Sequence, residues 1–309
     1  MRLLCTAALC LWSATAALAA GDPEHRFDPP WGTTPAADDF TVAGIENVPD
    51  LHGDIVNPQL VVFFAGNQFM VVDDLLAGFR KLHPEIERIF VETLPPGILA
   101  KQLETGSLTI GAMKITHHPD VFAAGKARMA LLTSRFSRQE TYACNRLAIM
   151  VAKGNPKKIQ GLADLARPEV QVSMPNPAWE GVGQRIEDAY RKAGGDALQQ
   201  AIMKTKVEAG TTWLTRIHHR QTPMRVLYGN SDAGPVWHTE VAFQERIGNP
   251  VEGVAIPAEH NIIATYIAGQ LTDAPHPQAA AWFMDYLMSD EAVAIYRKYE
   301  FLDRDQAPK

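Results

Sequence analysis

Cysteine is scarce in this chain, with 3 among 309 residues. Cys5 and Cys10 lie close to the N-terminus, so only Cys144 remains in the body of the sequence. A single cysteine cannot form an internal disulfide, which excludes a small domain held together by disulfide bridges. We expect Cys144 to be a buried structural thiol.

Basic clusters and long apolar runs are also lacking. The chain has 29 Lys and Arg against 35 Asp and Glu, a formal net charge of −6, and no basic patch dominates. This balance argues against a nucleic-acid-binding protein. Beyond the N-terminus, no segment approaches the ~20 uncharged apolar residues that a membrane-spanning helix needs.

Motifs of the common enzyme classes are missing. The sequence has no Gly-x-Ser-x-Gly elbow, no P-loop and no His-Glu-x-x-His pair. Residues 65–70, which follow the first predicted strand, lack the spaced glycines of a dinucleotide-binding turn. We therefore expect a protein that is not an enzyme and uses no cofactor.

The first residues have the features of a cleaved signal peptide. Arg2 precedes an apolar run over residues 3–18, and Ala17 and Ala19 give the small-x-small pattern before a cleavage site. We predict export to the periplasm with cleavage near Ala19. Residues 20–57 are rich in Pro, Gly and Asp and predict an extended arm, which either packs onto the body through Trp31 and Phe40 or is solvated.

The next segment alternates between strand and helix patterns. Residues 60–64 are wholly apolar, which predicts a strand buried on both faces of a parallel sheet. Apolar residues then recur at three- and four-residue steps until Pro84, which predicts a helix. The pattern continues with a strand at 89–91, a turn at 95–97, a helix over 98–105 closed by Gly106, and a strand at 108–110. This alternation predicts a doubly wound α/β lobe.

A second lobe follows. It is predicted to contain strands at 146–151, 170–173 and 232–237 and a helix over 180–193. A strand at 262–268 returns the chain to the first lobe, where Pro277 and Ser289 mark the starts of two closing helices. The predicted fold class is α/β, with two doubly wound lobes joined by a two-crossing hinge. Lobe 1 comprises residues 58–144 plus 262–309, and lobe 2 comprises residues 145–261.

Five segments, in order, carry a family resemblance. They are 64–67 (FAGN), 99–106 (LAKQLETG), 145–151 (NRLAIMV), 231–237 (SDAGPVW), and the closing run from Ala280 to Phe301. In this order they resemble the molybdate-type branch of the type II periplasmic solute-binding proteins, the substrate-binding components of ABC transporters. The resemblance implies a ligand held between two lobes that close about a hinge, and an ABC transporter membrane component as partner. We expect a monomer.

The resemblance also implies ligand-binding positions. These are Gly66, Asn67, Gly97, Gly181, Thr211, Thr212, Trp237 and the adjacent His238. Asn67 stands where the family has a serine, Trp237 where it has a tyrosine, and Pro95 and Pro96 occupy a turn that is serine-rich in the family. Proline has no N–H, and each lost serine removes a hydroxyl donor that would surround an oxyanion.

Histidine pairs occur at His117-His118 and His218-His219. Adjacent side chains point in different directions, so we expect surface or helix-flanking histidines and not a metal site. Arg216 and Arg220 are four residues apart, which predicts one solvated face of a helix, or else a cationic rim that attracts an anion. Trp179, Trp213 and Trp237 each adjoin a predicted ligand loop, and they suit either lobe-core packing or an organic ligand.

Two functions remain open from the sequence. The first is capture of a small, anionic solute, with molybdate or tungstate as the default, for delivery to an ABC transporter. The alternative is an exported metal- or chelate-binding or sensory protein on the same scaffold, which would bind through His238 and its neighbours, or a protein that binds an organic ligand. Loss of binding near pH 5 would indicate histidine ligands, since these must be deprotonated.

Overall fold

A computed structural model describes residues 50–110, 113–178, 180–216 and 218–308. The predicted signal peptide and residues 20–49 of the predicted arm, with Trp31 and Phe40, lie outside the described residues. Across the described ranges, no helix combines the length and the apolar composition that crossing a membrane requires.

The structure is built from strands and helices that largely alternate along the chain. The strands are β1 (Leu51–Gly53), β2 (Leu60–Ala65), β3 (Ile89–Leu94), β4 (Leu108–Ile110), β5 (Met113–Ile115), β6 (Val121–Gly125), β7 (Phe136–Asn145), β8 (Leu147–Ala152), β9 (Val172–Met174), β10 (Thr212–Leu214), β11 (Ala233–Trp237), β12 (Val251–Ala255) and β13 (Ala264–Leu271). The helices are α1 (Val72–Leu82), α2 (Pro96–Thr105), α3 (Lys126–Leu131), α4 (Gly181–Gln200), α5 (Lys206–Glu208), α6 (Gln221–Leu227), α7 (His238–Arg246), α8 (Pro277–Leu287) and α9 (Asp290–Lys298).

Two main sheets organise these elements. The first has the order β1-β3-β2-β6-β13-β7, and the second has the order β10-β9-β11-β8-β12. In the first sheet β3, β2 and β6 are parallel, and in the second β10, β9 and β11 are parallel. The remaining neighbours in both sheets pair antiparallel. The predicted fold class, with two doubly wound α/β units, is confirmed.

The chain passes between the sheets twice. It leaves the first sheet at Asn145 and enters the second at Leu147, and it returns between Ala255 and Ala264. The side chain of Asn261 ties the two connections together, since its Oδ1 accepts from the Leu147 N–H at 2.9 Å and its Nδ2 donates to the Leu147 carbonyl at 2.9 Å. The lobe boundaries at 144/145 and 261/262 stay a prediction that agrees with these crossings.

Each sheet is covered by helices on both faces. In the first sheet, β2 is fully buried, with one core cluster against α1, α8 and α9 and another on the side of α2 and α3. The second sheet packs against α4 on one side and against α6 and α7 on the other. Parallel strands covered on both faces need wholly apolar sequences, which is why the run at 60–64 could be recognised.

Several helix ends follow from local chemistry. Pro96 begins α2, and Gly106 ends it in the left-handed conformation with φ 76°. Ser289 caps α9 by accepting the Ala292 N–H at 3.2 Å. The helix predicted over 180–193 continues to Gln200, with non-helical backbone at Gly194 and Gly195.

The strand predicted at 108–110 is confirmed. Within the described residues it pairs with β5 in a two-stranded ribbon, whereas β6 lies beside β2 in the first sheet. One helix prediction is wrong. The helix predicted to carry Arg216 and Arg220 on a solvated face is not formed, because α6 begins only at Gln221. Arg220 is buried, with 3% of its surface exposed.

The segment 50–57 of the predicted arm is partly ordered by the first sheet. β1 pairs antiparallel with β3 as an edge strand, with Leu51 opposite Glu92. The carbonyl of Asp50 accepts the Thr93 N–H at 2.8 Å. This part of the arm therefore packs onto the body.

Candidate functional site

The carboxyl ends of the parallel strands of both sheets converge at one junction. Strand β2 leads into a 3₁₀ turn at Gly66–Val71, and in the second sheet β10 leads into the loop before α6 and β11 leads into α7. The 3₁₀ turn packs against α7, where the rings of Phe69 and Phe243 meet edge to face with centroids 4.9 Å apart. In open α/β sheets this edge is where ligands bind, so we take the junction as the candidate site.

Gly66 lies close against His218 across the junction. A Cβ built on this glycine would lie 2.7 Å from Nε2 of His218, so only glycine leaves room for the imidazole. His218 is fully buried, and burial together with the Arg220 and His219 charges holds its pKa well below the usual range. Its Nδ1 accepts the Arg220 N–H at 3.0 Å, so the neutral ring carries its proton on Nε2, beside Gly66.

An ion pair also joins the two sides of the junction. The Arg220 guanidinium contacts the carboxylate of Asp50, and the two side chains are 4% and 0% exposed. The same guanidinium lies 5.4 Å from the ring centroid of Phe69, within cation–π range. Arg220 therefore contacts both a carboxylate and an aromatic surface of the first sheet's side.

A carboxylate–imidazole–carboxylate cluster lies at the carboxyl edge of the second sheet. His219 has Nδ1 3.3 Å from Glu180 and Nε2 2.9 Å from Glu240, and all three side chains are at least nine-tenths buried. Burial opposes protonation of His219, but the Glu240 and Glu180 carboxylates raise its pKa to about 10. The Thr215 hydroxyl donates a hydrogen bond to Glu180. At neutral pH the imidazole is therefore a cation held between two anions.

A second polar chain runs from the 3₁₀ turn to the crossing segments. The Asn67 amide donates to the Tyr266 hydroxyl, and burial raises the pKa of that phenol. Near Tyr266, the Asn145 amide donates to Thr239 at 2.9 Å. The Trp237 ring packs edge-on to the Tyr266 ring with centroids 6.2 Å apart. Asn67 thus links the turn after β2 to the strand that returns from the second sheet.

The family is decided by a match over most of the chain. Residues 60–302 match the model of the family described as bacterial extracellular solute-binding protein. The chain belongs to this family. Its members are solute-binding proteins and not enzymes, and they act outside the cytoplasm.

One relative among curated proteins agrees with this assignment. YvgL of Bacillus subtilis (strain 168), named as an ABC transporter substrate-binding lipoprotein, is 27% identical over 157 residues, covering 51% of this chain and 55% of YvgL. The matched region thus spans about half of that relative's length.

Solved structures support the fold. The sulfate-binding protein SubI from Mycobacterium tuberculosis H37Rv has a TM-score of 0.66 at 17% identity, with 80% of this chain and 87% of SubI covered. The periplasmic molybdate-binding protein of Azotobacter vinelandii has a TM-score of 0.65 at 18% identity, covering 81% of this chain and 100% of that one. The resemblance to type II periplasmic binding proteins is confirmed.

The structure brings only some of the predicted ligand positions of this solute-binding protein to the junction. Gly66 and Asn67 lie within it, and Trp237 lies at its border with 6% of its surface exposed. Gly97, in the first turn of α2, is exposed, and a Cβ built there would be 3.8 Å from the nearest guanidinium nitrogen of Arg128. Gly181 is exposed at the first residue of α4.

Two of the predicted positions are displaced from the carboxyl edge. Thr211 and Thr212 were expected at a strand-to-helix turn, but Thr212 is the first residue of β10 and Thr211 precedes it, next to the start of β9. Both residues therefore lie at the amino end of β10, away from the junction. Thr215 holds the corresponding place at the carboxyl end.

The other histidines singled out from the sequence pair with carbonyl or carboxylate groups. His238 begins α7, and its Nε2 lies 2.7 Å from the Glu300 carboxylate. His117 bonds the Ile55 carbonyl at 2.6 Å, and His118 lies 3.4 Å from Asp273. Among the described residues no group of three or more His, Cys, Asp or Glu side chains could hold a metal ion.

Trp213 does not join Trp237 at the junction. Its ring lies under the Arg225 guanidinium at 4.2 Å. Trp179 lies outside the described residues. Cys144 is buried as expected, and burial raises the pKa of its thiol.

Asp50, Glu180 and Glu240 were not singled out from the sequence, although all three are buried at the junction. Arg220 was considered as part of a cationic rim, and His218 and His219 as surface or helix-flanking residues. The two histidines do precede α6, but they are not on the surface, since they are 0% and 8% exposed. The available signal was the polar run at 218–222, which is separated from the end of β10 by three residues, in the part of the chain where ligand-facing turns occur in this fold.

Proposed function

We propose that this protein is the solute-binding component of an ABC transporter, exported to the periplasm, and that it binds a small solute between its two lobes without chemical change. The family match supports the class of function. The observation that carries the site is the buried polar junction at Gly66, Asp50 and Arg220, where groups from both sheets meet. A solute bound there would contact both lobes and therefore favour one arrangement of them.

The solute in this proposal is a small anion. Arg220 is a buried cation from the loop after β10 of the second sheet, and it contacts Asp50 on the side of the first sheet. The turn after β2 supplies the backbone of Gly66 and the amide of Asn67. These two residues and Trp237 are the proposed ligand contacts. Arg220 replaces Thr211 and Thr212 as the proposed contact from the second lobe.

Gly97, Gly181 and His238 stay weaker proposals. Gly97 and Gly181 are exposed, and His238 faces Glu300. The metal-binding alternative has no support from a ligand cluster in the described part of the chain. Molybdate and tungstate remain test ligands because of the fold, while the turn at Pro95 and Pro96 offers them few donors.

The test is thermal unfolding of the mature protein with a panel of anions at equal ionic strength, using chloride as the reference. The panel holds molybdate, tungstate, sulfate, phosphate and small carboxylates. A solute at 100 times its Kd adds about 2.7 kcal/mol to the free energy of unfolding. Small-angle scattering, read as a change in the radius of gyration, then reports whether the same solute moves the lobes. A panel in which no solute changes either quantity would refute the small-anion proposal.

A further inference from the structure

The carboxylate of Asp50 contacts Arg220, the buried cation to which the proposed function assigns the solute. The backbone of Asp50 is held against β3. Its carbonyl accepts the N–H of Thr93, one residue before the end of that strand, at 2.8 Å. Its side chain contacts the Arg220 guanidinium, which comes from the loop after β10. A carboxylate from one side of the junction thus meets an arginine from the other side.

Arginine is suited to this partner. Its planar fork of N–H donors matches the two oxygens of a carboxylate, and a buried guanidinium requires an anion to offset its desolvation. The ring of Phe69, 5.4 Å from the guanidinium, adds an apolar surface next to the charge. The same ring packs on Phe243, so an aromatic pair borders the anion position.

The charges of the junction restrict what can replace Asp50. Asp50, Glu180 and Glu240 are buried carboxylates, whereas the buried cations facing them are Arg220 and the protonated His219. Exchanging the Asp50 carboxylate for a solute with one negative charge leaves the charge of this cluster unchanged. A dianion such as molybdate or sulfate would add a negative charge to a cluster in which carboxylates already outnumber cations.

Asp50 directly precedes a short edge strand. β1 is three residues long and lies at the edge of the first sheet, where its partner among the described strands is β3. Leu51 and His52 are half-buried and Gly53 is exposed. Short edge segments with few buried contacts open at a small fraction of the global unfolding free energy.

We propose that Arg220 binds the anionic group of the solute, that the Asp50 carboxylate holds this position until the solute displaces it, and that the solute is a small organic monocarboxylate. The inference rests on the proposed function, and it goes further by naming the solute's chemical class and an internal competitor. The apolar part of such a solute would lie against Phe69 and Phe243.

The experiment removes the internal carboxylate and supplies one from solution. In Asp50→Ala, formate or acetate should raise Tm by about 5 °C or more near saturation, relative to chloride at the same ionic strength. The increase should be smaller in the wild type, where Asp50 competes, and absent in Asp50→Ala combined with Arg220→Ala. Asp74→Ala is the matched control: it removes a carboxylate paired with Lys298 outside the junction, so acetate should raise its Tm no more than it raises the Tm of the wild type.

Three results would overturn the inference. They are an Asp50→Ala protein that does not respond to carboxylates, an equal response in the double variant, and a larger response to sulfate or molybdate than to acetate. If Asp50→Ala does not fold, Asp50→Asn removes the charge at nearly constant shape, and its Tm should depend on carboxylate in the same way.

Failure of this inference can be told apart from failure of the proposed function. If the wild type binds a panel solute and the Arg220→Lys variant binds it with the same Kd, the proposed function stands and the role of Arg220 is contradicted. A wild-type protein that binds no solute, while Asp50→Ala is stabilised by acetate through Arg220, would retain the anion site and contradict the transport role.

Discussion

Replacing His219 by Gln should remove a large, pH-dependent part of the stability. His219 lies 3.3 Å from Glu180 and 2.9 Å from Glu240. Burial lowers its proton affinity, but the two carboxylates outweigh burial and raise its pKa from 6.5 to about 10. The folded protein therefore binds this proton more tightly than the unfolded chain does. The stabilisation is fully present below pH 6.5 and is lost as the pH rises through about 10.

The size of this stabilisation follows from the two pKa values of His219, 6.5 in the unfolded chain and about 10 in the folded protein. A tenfold change in proton affinity corresponds to about 1.4 kcal/mol, so the full contribution to the free energy of unfolding is about 5 kcal/mol. At pH 8 about 3 kcal/mol of it remains. Removing the imidazolium also leaves Glu180 and Glu240 buried without their cation, which in other proteins costs about 3–5 kcal/mol.

The assay is urea unfolding of wild type and His219→Gln between pH 7 and 10. The difference between the two free energies of unfolding should shrink by about 1.4 kcal/mol for each pH unit. Titration of groups that do not interact with His219 cancels in this difference. His118→Gln is the control, because the His118–Asp273 pair is half-exposed and should contribute less than about 1 kcal/mol. A difference that is constant or grows with pH would refute the placement of a protonated His219 between two carboxylates.

Two further substitutions test buried positions near the junction. Burial raises the pKa of Glu92 to about 8, against a hydrogen bond from Gln102 that lowers it, so wild-type stability should fall as the pH rises from about 4.5 through 8. In urea unfolding, Glu92→Gln should become more stable than wild type across that window by up to about 1.4 kcal/mol per pH unit, and parallel pH profiles would contradict this. Gly66→Ala should lower the free energy of unfolding by about 1–3 kcal/mol, because its Cβ would lie 2.7 Å from His218 Nε2. The same change at the exposed Gly97 should have little effect, and equal losses would exclude the close approach at Gly66 as the cause.

The elements that could be predicted from sequence are those whose pattern is local. The apolar run at 60–64 is a strand because every residue in it is buried, and the spacing up to Pro84 marks one apolar face of α1. Gly106 and Ser289 act within a few residues of their own positions. Such signals need no knowledge of distant contacts.

Elements that depend on distant partners could not be predicted. β7 is ten residues long, yet its first six residues are half-buried or exposed and include charged side chains. It is the edge strand of the first sheet, with β13 as its neighbour and one further bridge from Cys144 to Leu302, so nothing in its own sequence requires an apolar run.

The position of the turn after β2 could be predicted from the sequence, whereas the buried charged side chains of the candidate site could not. Gly66 and Asn67 were predicted because the resemblance assigns ligand contacts to the turn after a recognisable strand. The burial of the ionic groups could not be predicted because it depends on partners far away in the chain: Arg220 on Asp50, and His219 on Glu180 and Glu240. Without those partners, a run of His and Arg resembles a solvated surface.

A shared fold does not fix the ligand of a protein in this family, because the ligand depends on the side chains at the junction. Structures of sulfate- and molybdate-binding proteins share the fold at 17% and 18% identity, which leaves the side chains at the turns free to differ. Here Pro95 and Pro96 remove donors from one turn, while the Asp50–Arg220 pair adds opposite charges close to it. Neutral hydroxyl donors can surround a tetrahedral dianion without any other charge nearby. If Arg220 binds the solute as proposed, this junction selects by exchange, because an incoming anion must replace the Asp50 carboxylate.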